Sequence, residues 1–208
     1  MYLPMLEKQA HFLFFIRPRR FGKSMFLSMM STYYDSFYTD KFDFYFHDLW
    51  IQQHPTRLKN TYQVLYLDFS RVIQSGDSLE RNFNDYCCIQ LDAFMSKYED
   101  VYSPSLVKRF YATDKSANKL NLIHSEATLR KFRLYLIIDE YDNFTNIVLN
   151  EQGHDAYHAL THASGFYRDV FKLYKGMFER IFMIGVSPVT LDDLTSGFNI
   201  GWNICTDP

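Results

Sequence analysis

The sequence predicts an α/β fold, a three-layer sandwich in which a mainly parallel β-sheet carries helices on both faces. Three observations lead there. Apolar runs of strand length, such as Phe12-Leu13-Phe14-Phe15-Ile16 and Leu134-Tyr135-Leu136-Ile137-Ile138, alternate with longer helix-like segments. Gly22-Lys23-Ser24 stands between the first such run and the helix after it. Asp139-Glu140 and Ser187 each follow a later run closely, so polar chemistry gathers at strand C-terminal ends, where parallel sheets bind ligands.

In chain order, residues 1–10 are mixed, with a helical turn around Leu6-Glu7-Lys8. Residues 11–16 are apolar on both faces and read as a buried strand. Pro18 and Gly22 punctuate a loop, and a first helix over 23–36 puts Phe26, Leu27, Met30 and Tyr34 on one face. Residues 35–60 are aromatic and irregular, expected as short helical or loop elements at the domain edge. A second strand covers 64–69. Asp77 or Ser78 can cap a helix reaching about Tyr98, with Leu79, Phe83, Tyr86, Cys87, Leu91 and Phe94 as its apolar stripe. A short helix over 106–111, a polar surface loop over 112–121 and a helix over 123–131 follow. The strand 134–138 ends in Asp139-Glu140; a loop then leads to a helix over 155–177 that Gly165 interrupts. A fourth strand, 181–184, closes on Gly185-Val186-Ser187-Pro188, residues 190–199 turn and loop, and 200–205 supply a short fifth strand. With no repeat, low-complexity tract or linker, residues 1–208 read as one domain.

Composition excludes several classes. A formal net charge of -2 gives no global basic field for nucleic acid. No run approaches the ~20 apolar residues of a membrane span, and no basic-then-apolar leader opens the chain. Cys87, Cys88 and Cys205 form no C-x-x-C, which indicates neither a disulfide framework nor a zinc site; a reducing cytoplasm is the simplest compartment. The 20 Phe and 16 Tyr read as an aromatic core.

The chemistry concentrates in Arg17-Pro18-Arg19-Arg20-Phe21-Gly22-Lys23-Ser24. Strand, Gly-Lys-Ser loop, then helix is the setting of a phosphate-binding loop, in which backbone N–H groups at a helix N-terminus face the phosphates. Lys23 would reach the β- and γ-phosphates of a nucleotide, Ser24 would ligate Mg²⁺, and Arg20, Phe21, Gly22 and Met25 complete the binding stretch. The general pattern G-x-x-x-x-G-K-[ST] fails at its first glycine, where Arg17 stands; an arginine there must keep an ordinary φ or bear strain. Arg17, Arg19 and Arg20 read either as extra anion donors or as an exposed basic loop. Asp139 would hold Mg²⁺ directly or through water, and Glu140 would orient and polarise an attacking water. Ser187 is a candidate sensor of the γ-phosphate, or else a cap on the turn before Pro188. Arg168, Lys175 and Arg180 could donate charge to a transition state, or are solvated cations. His154, His158 and His162 share a helical face but span too far for one metal, so a polar face is the better reading.

Phe15-Ile16-Arg17-Pro18-Arg19-Arg20-Phe21-Gly22-Lys23-Ser24, Ile137-Ile138-Asp139-Glu140-Tyr141-Asp142-Asn143 and the stretch Gly185-Val186-Ser187-Pro188 onward to Ile200 together resemble the AAA-ATPase-like family of bacterial proteins, P-loop NTPases often fused to a nuclease-like domain of the PD-(D/E)xK type. The resemblance covers essentially the whole chain, and within it the arginine at position 17 is usual. It implies that Gly22, Lys23 and Ser24 form a Walker A loop for ATP and Mg²⁺, and that Asp139 and Glu140 are the Walker B pair. Family chains carry more sequence before the first strand and continue into a helical lid, so a truncated domain lacking that lid is expected here. The expected function is ATP hydrolysis with Mg²⁺ driving a conformational change. The alternatives are a low-turnover nucleotide switch gating a missing nuclease-like or partner domain, and a structural remnant that binds nothing. A nuclease-like domain, nucleic acid and self-association enter as partners through family analogy only.

Overall fold

The computed structural model describes residues 2–18, 22–73, 78–161, 165–186 and 201–203. Its sheet joins β1 (Phe12–Ile16), β2 (Gln63–Asp68), β3 (Leu134–Asp139), β4 (Arg180–Gly185) and β5 (Gly201–Asn203) in the order β2-β3-β4-β1-β5. Every pairing is parallel, with Phe14 opposite Met183 and Asp68 opposite Asp139. Strands buried on both faces read as unbroken apolar runs, and β3 and β4 are buried at every position.

Alternating side chains feed two cores. One face carries Leu13, Val64, Tyr135, Ile137, Phe182 and Ile184, packed on α1 (Tyr2–Lys8), α2 (Lys23–Tyr34), α3 (Phe42–Tyr45) and α4 (Trp50–Gln53). The other carries Phe14, Leu65, Leu67, Leu136, Ile138 and Met183, beneath α5 (Leu79–Tyr98), α6 (Pro104–Tyr111), α7 (Ser116–Arg130), α8 (Asn143–Thr161) and α9 (Phe166–Met177). Right-handed crossovers explain the division. The chain crosses the sheet one way from β1 to β2 and the other way from β2 through β3 to β4, so the connections lie on opposite faces. Such a division places the ligand-binding edge at the C-terminal ends of β1, β4 and β3.

The opposite end of the sheet is closed by the residues that immediately precede four strands. Arg133 donates from Nε to Glu179 Oε2 at 2.8 Å and from Nη2 to Glu179 Oε1 and the Tyr62 hydroxyl at 2.5 Å each. Its guanidinium lies 4.2 Å from the Tyr62 ring centroid, and His11 Nδ1 pairs with the Glu179 carbonyl at 3.1 Å. Arg133 holds the Glu179 carboxyl below its ordinary range, and the Tyr62 hydroxyl adds to the effect.

Several expectations are corrected. The first turn is a full helix, α1. The surface loop expected over 112–121 ends early, because α7 starts at Ser116. The helix expected over 155–177 is two helices. α8 begins at Asn143, started by the Asp142 carbonyl, which accepts from Asn146 N–H at 2.9 Å. It breaks at Gly153, whose φ of 81° is non-helical, and the interruption expected at Gly165 is present, with Gly165 as the N-cap of α9. Residues 190–199 lie outside the described residues, as does Asp77, while Ser78 Oγ accepts from Arg81 N–H at 3.3 Å and caps α5. No described helix is long and apolar enough to cross a membrane.

Candidate functional site

Gly22 takes the left-handed conformation, φ 74° and ψ 16°, at the N-cap of α2. A Cβ there would meet nothing within 4 Å, so glycine is required by backbone conformation and not by crowding. Arg17 keeps an ordinary φ, since the described non-glycine residues with positive φ are Asp48, Asn60, Lys131 and Glu140. It instead prolongs the sheet: its N–H donates to the Gly185 carbonyl at 3.1 Å, and its guanidinium stacks 4.5 Å from the Phe15 ring centroid. The turn that a leading glycine usually opens is thus absent at position 17.

The N-terminus of α2 has no side-chain cap and no acid in its first turn. Its first residue is Lys23, a buried cation at the positive end of a helix dipole, which disfavours it. Lys23 Nζ reaches back across the loop to the Arg17 carbonyl at 3.3 Å and has no carboxylate partner among the described residues. Uncapped amides with a buried ammonium suit an anion. The open groove of about 800 Å³ between the N-terminal ends of α5, α7 and α9 is built the other way. Glu80, Asp85, Asp114 and Asp169 outnumber Arg81 and Lys115 on its walls, which makes it unsuited to a polyphosphate.

Ser24, next on α2, donates from Oγ to Asp139 Oδ2 at 3.1 Å, a contact spanning 115 residues of sequence. Tyr66 on β2 donates its hydroxyl to the same oxygen at 3.2 Å. The other oxygen, Asp139 Oδ1, is buried with no hydrogen-bond partner among the described residues. Asp68 stands opposite Asp139 in the register, on the same face of the sheet, and turns its carboxylate toward Ser70 and Arg71. Burial pushes the Asp139 carboxyl above its ordinary range, the Ser24 and Tyr66 hydroxyls pull it back, and the Asp68 charge pushes it up again. A buried carboxylate with one orphaned oxygen, a neighbouring carboxylate and a hydroxyl form a donor set that fits a hard divalent cation. No group of three or more His, Cys, Asp or Glu among the described residues could hold a metal ion, so remaining ligands would be water and phosphate.

Glu140 follows in the left-handed region at φ 50°, which costs a non-glycine residue roughly 1–2 kcal/mol. The surroundings hold the turn. The Glu140 carbonyl accepts from Asn143 N–H at 2.9 Å, Tyr141 N–H donates to the Ile184 carbonyl at 3.3 Å, and the Tyr167 hydroxyl donates to the Tyr141 carbonyl. Asp142 is buried, and its Oδ2 accepts from Val186 N–H at 3.0 Å and from Asn146 Nδ2 at 3.2 Å. Gly185 allows this approach, because a Cβ there would lie 2.5 Å from Asp142 Oδ1 and 2.6 Å from Tyr141 Cε1. One glycine therefore joins the exits of β1, β3 and β4.

The structure thus brings Gly22, Lys23, Ser24, Asp139 and Glu140 to one end of the sheet. Met25, in the first turn of α2, exposes its side chain, which leaves only its backbone to face the loop. Arg19, Arg20, Phe21 and Ser187 lie outside the described residues. Arg180 begins β4 at the far end and donates to the Glu7 carbonyl at 3.0 Å, which removes it from the site; Lys175, in the last turn of α9, lies toward that end too. Arg168 is in the first turn of α9, with Nε buried and unpartnered among the described residues. His158 is exposed on α8, while His162 and the His154 side chain are outside the described set. Tyr66 and Asp68 have no site role in the sequence reading, whereas Asp142 and Gly185 enter it within the motifs that carry the family resemblance. A hydroxyl within an apolar strand and a strand ending in Asp were the available signals for the first two.

An all-parallel sheet between two helical layers, with a Gly-Lys-Ser turn into a helix beside a strand-terminal Asp, defines an α/β sandwich of the P-loop kind. The chain belongs to the predicted AAA-ATPase family, whose model matches residues 1–195, and is a nucleotide-binding, ATPase-like domain. No curated protein and no solved structure matches it.

Proposed function

We propose that residues 1–208 form one nucleotide-binding unit that binds ATP with Mg²⁺ and hydrolyses it to drive a conformational change. The observation that carries this reading is the 3.1 Å hydrogen bond from Ser24 to Asp139, which joins the Gly-Lys-Ser turn to the end of β3. In this reading the segment Arg20 to Met25 is a Walker A loop, with Gly22 and the following amides cradling phosphate and Lys23 turning from the Arg17 carbonyl to the β- and γ-phosphates. Ser24 and Asp139 hold Mg²⁺, which when bound neutralises charge on the phosphates. Glu140 accepts the proton of the water whose oxygen attacks the γ-phosphorus, and ADP leaves as the β–γ bridge breaks. Ser187 senses the γ-phosphate from the exit of β4. The Asp142–Val186 hydrogen bond supports coupling between that exit and the Glu140 turn.

The test is Mg²⁺-ATP binding and phosphate release for the wild type, Lys23→Ala and Glu140→Gln. Lys23→Ala is expected to lose binding by at least about 100-fold, and Glu140→Gln to bind as the wild type does while losing turnover by about 100-fold or more. A wild type that binds without turning over favours a low-turnover switch gating a partner domain. A wild type that binds no nucleotide refutes both readings.

A further inference from the structure

The two carboxylate oxygens of Asp139 differ in a way the proposed hydrolysis does not use. Oδ2 accepts two hydroxyl donors, Ser24 at 3.1 Å and Tyr66 at 3.2 Å, while Oδ1 is buried without a partner among the described residues. A carboxylate bonded through one donor can swing about its terminal torsion, which is broad and roughly two-fold. Two hydroxyl donors from different elements, beside the backbone N–H of Glu140, oppose that swing. They are unequal. Ser24 is exposed and sits in the first turn of α2, next to the loop that must admit phosphate. Tyr66 projects from β2, which is hydrogen-bonded to β3 along six register pairs, and its ring packs on the α2-side core.

The distance suits a tyrosine. Tyr66 lies on the same face as Asp68 and two residues before it, and Asp68 is the register partner of Asp139. Reaching Asp139 thus requires crossing one strand spacing of about 4.8 Å and two residues of rise, about 6.6 Å. A phenol spans that diagonal, whereas a serine or threonine would fall short.

We infer that Tyr66 is a positioning residue of the cation site: its hydroxyl fixes the Asp139 carboxylate so that Oδ1 stays available to Mg²⁺ while Ser24 turns its oxygen to the same ion. This rests on the proposed Mg²⁺-nucleotide reading and adds a supporting residue to it. Partners of metal-ligating carboxylates typically govern 10–100-fold of metal affinity.

The experiment uses the 208-residue chain and titrates Mn²⁺, by its electron paramagnetic resonance signal, in the presence of a non-hydrolysable ATP analogue. Analogue affinity is measured separately in EDTA. Tyr66→Phe keeps the ring and removes one oxygen. It is expected to weaken Mn²⁺ about 10-fold, leave metal-free analogue affinity unchanged and keep the far-ultraviolet circular dichroism spectrum. In an Asp139→Asn background the same change should cost less than twofold, because the carboxylate it positions is gone. Mn²⁺ affinity within twofold of the wild type in Tyr66→Phe overturns the inference and leaves the nucleotide reading standing. Equal losses with and without metal also overturn it, by making Tyr66 a general support of the loop. A wild type that binds neither analogue nor Mn²⁺ takes down the nucleotide reading along with it.

Discussion

The two ends of the sheet are built on opposite plans. Before the strands, His11, Tyr62, Arg133 and Glu179 interlock, with a guanidinium, a carboxylate and a phenol bonded to one another. After the strands, Lys23 leans on a carbonyl, one buried Asp139 oxygen has no partner among the described residues, and Glu140 occupies a costly backbone conformation. The entry end also has imperfections, since Arg180 Nε and Asn60 Oδ1 lack partners among the described residues, but both residues are bonded through other atoms. Where charges find their counterparts within the chain, the structure is a clamp. At the other end Lys23 and Asp139 meet no opposite charge among the described residues, which suits that end to a bound ligand.

The largest effect that would break this contrast comes from Gly185. Gly185→Ala puts a methyl group against Asp142 and Tyr141, both held in place by hydrogen bonds. We expect a loss of roughly 2–3 kcal/mol in urea unfolding, with nucleotide binding weakened as well. A loss under about 0.5 kcal/mol would mean that the exits of β3 and β4 are not locked together.

A sharper comparison makes the same chemical change at each end. Glu179→Gln removes a carboxylate whose folded pKa is depressed by Arg133. Such a group stabilises above its unfolded pKa of about 4.3, and that contribution disappears as the pH falls through the folded value. The substitution should therefore cost about 1 kcal/mol at pH 7, limited by the partial exposure of the pair, and flatten the acid limb of stability against pH. Asp139→Asn should do the reverse. Its carboxyl titrates above the ordinary value of about 3.9, so the folded chain holds the proton more tightly and loses stability as the pH rises through that interval. The amide should raise stability at pH 7 by up to about 1 kcal/mol while abolishing the Mg²⁺ dependence of nucleotide binding. Thermal unfolding midpoints from pH 3 to 8 read both changes, and equal signs at pH 7 would erase the distinction between the ends.

Much of this was legible in the chain. Buried parallel strands announce themselves as apolar runs, so β1, β2, β3 and β4 were located within a residue or two. Gly22-Lys23-Ser24 and Asp139-Glu140 were legible because each lies beside its strand in sequence. The misjudged elements are those whose cues compete. Asn143 to His154 mixes Asn, Glu and Gln with Gly153, which reads as loop until Asp142 is seen starting a helix. Ser116 to Asn121 is polar because only Lys119 and Leu120 of that stretch are buried. Tyr66 and Gly185 act across the sheet, through register and close approach, and a linear reading has no access to either. Of the three candidate cations, the sequence held no cue to which end of the sheet each would occupy; strand and helix direction decided it.

Glu140 carries one more implication. A residue held at φ 50° stays there only while the hydrogen bonds to Asn143, Ile184 and Tyr141 around it persist. None of them belongs to the strand ladders. Mild denaturant or warming should therefore let the turn relax while the strands remain paired, and the turnover proposed for this chain would fade before any global unfolding signal appears. Catalytic competence would then have its own, lower melting point.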